Sequence, residues 1–162
     1  MAAGLKDTYV VHCAETTCDM GLRTSMLVLR KCHGVYLKGQ AQMSVKDKET
    51  NKNVICFGGC VSPENPLTVA EAKRIAKEVE ETTGVDFESE VVDIFTMTGE
   101  NGKKFMECAG ECTPTIVSVK WDREKEDVSV TDGSNALLGE ATLTCKYGGI
   151  IKITMAGQPE PQ

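Results

Sequence analysis

The chain has 162 residues, of which 41% are apolar, 26% charged and 5% aromatic, a length that suits one domain and is short for two. A globule of this size buries roughly 70% of the surface its unfolded chain exposes and needs neither metal nor disulfide merely to fold, so its eight cysteines are a surplus to be accounted for. With 18 Lys and Arg against 24 Asp and Glu the net charge is −6, which argues against a nucleic-acid surface built on phosphate neutralisation and for a protein partner. No run approaches the roughly 18 consecutive apolar residues of a membrane span. The start, Met1-Ala-Ala-Gly-Leu-Lys-Asp-Thr-Tyr9, lacks a basic stretch followed by an apolar one, so no secretory leader is expected and the cysteines should first meet a reducing cytosol.

Short β elements fill the first sixty residues. Tyr9-Val-Val-His12 begins with β-formers, Met26-Leu-Val-Leu29 is a short apolar run, and Val35, Leu37, Ala41, Met43 and Val45 alternate around Gly39, as in a hairpin with its turn there. Asn53-Val-Ile-Cys-Phe-Gly-Gly-Cys60 reads as a strand entering a glycine turn.

Pro63 and Pro66 break the pattern ahead of the one clear helix signal. Thr68-Val-Ala-Glu71 fits a capping box, Val69, Ala72, Ile75, Ala76 and Val79 recur at helical spacing, and Gly84 is placed to end the run. The spacing predicts a helix over 68–82. Beyond it, Val91–Met97 reads as a strand, Gly99–Gly102 as a turn and Lys103–Cys108 as the return strand, so 66–107 has the character of an inserted helix and hairpin.

Ile116–Trp121, Val128–Val130, Ala136–Gly139, Ala141–Cys145 and Gly149–Met155 continue the β pattern, interrupted by the charged stretch Asp122–Asp127 and a turn at Asp132–Asn135. The fold class expected is mainly β with one helix: a single domain over 1–157 carrying the insertion, and a flexible tail at 158–162.

The cysteines are Cys13, Cys18, Cys32, Cys56, Cys60, Cys108, Cys112 and Cys145. None shows the C-x2-C spacing of a zinc ribbon, yet Cys18, Cys60, Cys112 and Cys145 each lie at or beside a loop in four distant segments. Thiolates drawn from such loop ends can converge on a tetrahedral zinc, which prefers four N or S ligands. Buried free thiols acting as small hydrophobes, and disulfides, are the competing readings. His33 follows Cys32 directly, but adjacent side chains on a strand point to opposite faces, so a catalytic Cys–His pair would have to come from different segments. No carboxylate couple marks a glycosidase, and Gly58-Gly59 and Gly148-Gly149 lack the spacing of a phosphate loop.

Five blocks then carry a resemblance: Tyr9-Val-Val-His-Cys-Ala followed by Cys18; His33-Gly-Val-Tyr-Leu-Lys-Gly-Gln; Asn53-Val-Ile-Cys-Phe-Gly-Gly-Cys60; Cys112-Thr-Pro; and Leu143-Thr-Cys145-Lys-Tyr-Gly-Gly-Ile-Ile-Lys-Ile with Gly157-Gln. In this order they resemble the PAAR-like spike-tip family of contractile injection systems. The resemblance implies a small conical β structure of hairpins around an approximate threefold axis, seated one tip per trimer on the blunt end of a trimeric spike protein. It implies a structural protein without enzymatic activity, made in the bacterial cytoplasm, carried in an injection particle and touching the target membrane only transiently. Effector or baseplate proteins are further partners it suggests, and nucleic acid is not among them. With only two histidines in the chain, a three-histidine metal site is excluded, and the resemblance carries a zinc onto Cys18, Cys60, Cys112 and Cys145. It leaves Cys13, Cys32, Cys56 and Cys108, with His33 as a further candidate, for a second cluster or for disulfides. The Pro-Ala-Ala-Arg repeats themselves are missing, and the helical insertion lies outside the matching blocks. The simplest expectation for the helix is that it covers an apolar sheet face; the alternative is that it docks on the cone or contacts a neighbouring sheath, baseplate or effector protein, and a separate expectation is that the insertion 66–107 carries cargo.

Overall fold

The structure is a computed structural model, and it describes residues 5, 7–100, 102–131 and 133–158. Most of the tail expected at 158–162, and Asn101 and Asp132 in two of the expected turns, lie outside them.

The two ends of the chain are woven together first. Strand β1 (Glu15–Cys18) lies between β2 (Ser25–Met26) and β10 (Ile150–Met155), and β9 (Thr142–Thr144) completes a four-stranded antiparallel sheet in the order β2-β1-β10-β9. Its register sets Thr16 opposite Ile153 and Cys18 opposite Ile151. Two-stranded hairpins surround it: β3 (Tyr36–Leu37) with β4 (Gln40–Ala41), and the longer β7 (Glu124–Thr131) with β8 (Ser134–Leu137). The first turns at Lys38 and Gly39, φ 52° and 84°, the pair of left-handed residues that a tight two-residue hairpin needs. The fold is mainly β, as expected. Isolated bridges such as Tyr9 to Leu138, Val11 to Gln42 and Leu27 to Val54 knit the short pieces into one body.

The principal core lies within this β assembly, where Leu27, Met43, Val54, Phe57, Trp121, Leu137, Leu143 and Ile151 are buried. Each such side chain contributes roughly 1.5–3 kcal/mol by leaving water. Trp121 keeps its polar edge satisfied, since its indole Nε1 donates to the Asp47 carbonyl at 3.1 Å. The charged stretch at 122–127 runs into strand β7, whose outward positions carry its acidic and basic side chains; the exposed face of a two-stranded ribbon tolerates them.

Helix α1 (Pro66–Thr83) begins two residues before the predicted start. Asn65 is the cap, its side chain accepting from the Leu67 N–H at 3.0 Å with Pro66 in the first turn, a combination favoured because Pro lacks the otherwise unpaired N–H. Thr68 is therefore no cap: it is buried, and its hydroxyl donates to the Cys60 carbonyl at 2.6 Å. Gly84 ends the helix as predicted, at φ 75°, its N–H reaching the Glu80 carbonyl.

The segment expected as a strand at 91–97 is divided. A short 3-10 turn (Glu88–Glu90) leads into α2 (Val91–Phe95), and only Thr96–Thr98 is strand, β5, paired with β6 (Lys104–Met106). Phe87 and Phe95 pack against the cluster that contains Val91; Val91 is buried and the two phenylalanine rings stand 6.1 Å apart.

Ala72, Ala76, Val91 and Met106 form a second, smaller core inside the insertion. Helix α1 thus packs on α2, the 3-10 turn and Met106 of the insertion rather than covering the main sheet, contrary to the simplest expectation. Among the described residues no helix is long and apolar enough to cross a membrane.

Candidate metal centre

Four segments meet at one end of the β core. Cys18 closes β1, and the chain turns at once, the Gly21 N–H returning to the Cys18 carbonyl at 2.9 Å. Gly21 then bridges Cys60, which bridges Gly110 on its other side through a reciprocal pair of backbone hydrogen bonds at 3.0 and 2.9 Å. Two residues on, the Cys112 sulfur accepts the Phe57 N–H at 3.4 Å. Cys145 bridges Ile116 and opens a turn whose Gly149 carbonyl accepts the Cys145 N–H at 2.8 Å.

This backbone ladder brings Cys18, Cys60, Cys112 and Cys145 to the wall of one cavity of about 20 Å³, closed otherwise mainly by apolar groups such as Met20, Phe57, Pro114 and Ile151. A space of this size holds about one water-sized sphere. Gly149 is part of the cradle, since a Cβ there would stand 2.6 Å from the Cys18 sulfur.

The thiols respond to this setting. Burial pushes Cys18 up to about 12, the adjacent Asp19 carboxylate and the Cys145 and Cys112 sulfurs adding to the rise while the Met20 N–H opposes it. Burial likewise raises Cys112, with Cys60, Cys56 and Cys145 adding to it and the Phe57 N–H lowering it. Without a cation Cys18 and Cys112 are held as thiols. A divalent cation among them would reverse the balance, because coordination to a metal deprotonates a thiol outright.

The donor set suits zinc in kind and number: four soft sulfurs and no carboxylate on the cavity wall. Among the described residues, however, no group of three or more His, Cys, Asp or Glu side chains is already arranged to hold an ion. Ligation would require the four sulfurs to draw closer together.

The other four cysteines do not line that cavity. Cys56 adjoins Cys112 closely enough to raise it. Cys108 packs against the small core of the insertion and points its sulfur at the Thr68 carbonyl, 3.7 Å away. Cys13 is exposed, in a left-handed conformation at φ 75°. The Cys32 sulfur lies 2.8 Å from the Tyr36 hydroxyl, and that hydrogen bond, with one from the Gly34 N–H, lowers its pKa. All eight cysteines are unpaired here.

His33 stands in a different place from the four-sulfur cavity: its Nε2 lies 2.9 Å from an Asp47 carboxylate oxygen, and the same oxygen accepts the Ser44 N–H at 2.7 Å. Fourteen residues and a hairpin separate Asp47 from His33 along the chain, so the pair has no local signature in the sequence. The alternation of a strand would set Cys32 and His33 on opposite faces. Residues 30–34 form a bend instead, with Gly34 at φ 89°, and both side chains line one cleft.

A mainly β domain of short hairpins that gathers four distant cysteines at one end is the class that fold and site define. Within that class, residues 10–158 match the family model described as "Domain of unknown function (DUF4280)", and the chain belongs to that family. No curated protein and no solved structure matches it.

Proposed function

We propose that this protein is a PAAR-like spike tip: a conical cap that sits on the trimeric spike of a contractile injection apparatus, phage-tail-like or type VI-like, and sharpens it for membrane puncture. The observation that carries the reading is the meeting of Cys18, Cys60, Cys112 and Cys145 at one small cavity. These four come from the blocks that resemble the spike-tip family, and a point built from short hairpins has little core of its own. Two-residue strands and single bridges give such a point few ladder hydrogen bonds, so cross-linking four segments through one zinc would stiffen it where force is transmitted. The role is structural, and the protein would travel as part of the particle.

Mixing the purified chain with its cognate spike trimer and measuring mass by light scattering tests this. One tip per trimer is expected; absence of binding, or three tips per trimer, contradicts it. Elemental analysis with free-thiol counting before and after chelation tests the zinc separately.

A second reading, an adaptor that loads an effector through the insertion, is favoured by one observation. The insertion carries its own core and leaves Leu67, Val85, Val92, Ile94 and Met97 exposed. Retention of cargo by a particle whose tip lacks the insertion would remove it.

A further inference from the structure

Away from the four-sulfur cavity, a cleft of about 560 Å³ opens between the segments 29–33 and 46–53. Arg30, Lys31, Lys46 and Lys52 line it, a local concentration of positive charge in a chain whose net charge is −6. Its two carboxylates are engaged within the cleft. Asp47 accepts from His33 and the Ser44 N–H, and Glu49 pairs with Lys52 at 3.4 Å. Among the described residues no carboxylate lies within ion-pair distance of Arg30, Lys31 or Lys46. The cleft therefore presents cationic groups to whatever enters.

A nucleophile stands in the same wall. The bend at 30–34 turns Cys32 into the cleft beside His33, and the Tyr36 hydroxyl lies 2.8 Å from the sulfur, where it can donate to a thiolate. Electropositive surroundings with a hydrogen-bond donor on the sulfur distinguish reactive from inert cysteines. Exposure alone would select another residue, Cys13, which is the exposed thiol of the chain. Cys18 and Cys112 face an apolar cavity that has no cation on its wall.

We propose that Cys32 is the thiol through which this protein exchanges with small, negatively charged disulfides, the cations of the cleft holding the carboxylates of the disulfide while its sulfur is attacked. The Cys32 sulfur, having released its proton to water, attacks one sulfur of the disulfide. A new S–S bond forms as the old one breaks, and the departing thiolate leaves with the electron pair and is protonated by solvent. The disulfide is the oxidant: one half remains on Cys32 as a mixed disulfide and the other is released as a thiol. The site is one of modification rather than turnover, and it is independent of the spike-tip reading.

The test uses the full-length chain at neutral pH and low salt with three disulfides: the dianion dithiobis(nitrobenzoate), neutral dithiodipyridine and dicationic cystamine. Each rate is divided by that of mercaptoethanol with the same reagent, and the modified cysteine is located by peptide mass spectrometry. With limiting dianion, Cys32 is expected to carry the first adduct. Its normalised rate should exceed that with cystamine by about tenfold or more, the scale of electrostatic steering into a charged cleft. Salt should erode that preference, and Lys31→Gln with Lys46→Gln should do the same without altering the reaction with dithiodipyridine. First modification at Cys13, or equal normalised rates for the dianion and the dication at Cys32, would overturn the proposal.

Discussion

Gly149 and Cys18 are fitted to each other: the Cys18 sulfur occupies the space a side chain at 149 would take, with an added Cβ only 2.6 Å away. Gly149→Ala should therefore push the sulfur out of the shared cavity. The backbone there is pinned by the Cys145 N–H to Gly149 carbonyl bond and by Asp19 Oδ1 accepting the Ile150 N–H at 2.8 Å, which leaves the side chain to move. A loss of about 1–3 kcal/mol is expected, as for other overpacked core sites, and denaturant unfolding measures it. If the four sulfurs hold zinc, the variant should also retain less of it; unchanged stability and metal content would show that the close fit has no consequence.

The burial that raises Cys18 makes the metal-free protein sensitive to alkali. With a folded pKa of about 12 against an ordinary value of 9.0, Cys18 is protonated in both states below pH 9 and has no effect there. Above that, the unfolded chain loses the proton while the folded chain keeps it. The unfolded state then binds fewer protons, and stability falls as pH rises toward 12, at about 1 kcal/mol per pH unit for this one group. Cys18→Ala should flatten the decline measured by urea unfolding between pH 8.5 and about 10.5. A zinc-loaded protein should lack this slope, since its sulfurs are already deprotonated, and should lose stability on acidification instead.

Helix α1 and its Gly84 stop were legible in the sequence because apolar spacing over eighteen residues is a strong signal. Its true cap was legible too, in Asn65-Pro66, but the Thr68–Glu71 pattern is an equally good cap in isolation, and tertiary packing decided between them by burying Thr68 under Cys60. The strand assigned to 91–97 holds only at Thr96 and Met97: Val, Ile and Phe favour sheets on average, but here Val91–Phe95 wind into α2 and bury Val91 in the small core of the insertion. Strands of two residues have no period to read. For the same reason the grouping of Cys18, Cys60, Cys112 and Cys145 was legible only in their positions at loop ends and in the resemblance between blocks, and not in their spacing. The pairing of His33 with Asp47 was hidden because the bend at Gly34 breaks the alternation that was assumed.

Thr16 is fully buried on β1 opposite Ile153, and its hydroxyl has no hydrogen-bond partner. An unpaired buried hydroxyl costs about 1–3 kcal/mol in desolvation. Valine has nearly the same shape, and its β-branched side chain suits a strand. Thr16→Val should stabilise the fold by about 1 kcal/mol, raising the midpoint of urea unfolding without changing its slope. A destabilised variant would mean that the hydroxyl has a partner in solution, a bound water being the first to seek.

Gly110 decides how the insertion is attached. A Cβ there would collide with the backbone of Leu67 and Thr68 at the start of α1, and backbone cannot rotate aside as a side chain can. Gly110→Ala should therefore pry the helix from Cys60, breaking the Thr68 hydroxyl bond to its carbonyl, at a cost of about 1–3 kcal/mol. Removing the insertion altogether should be milder for the β body. Cys60 and Gly110 are bridge partners, so a short linker in place of 62–108 can close the gap, and the principal core contains none of the deleted side chains. The shortened protein is expected to unfold cooperatively and to keep Cys18, Cys60, Cys112 and Cys145 in their relative places; it forfeits the Lys103 bonds to Asp19 and to the Gly148 carbonyl. Circular dichroism and amide-exchange spectra decide the matter. A collapsed or molten β body would show that the smaller core of Ala72, Ala76, Val91 and Met106 supports the larger one rather than resting on it.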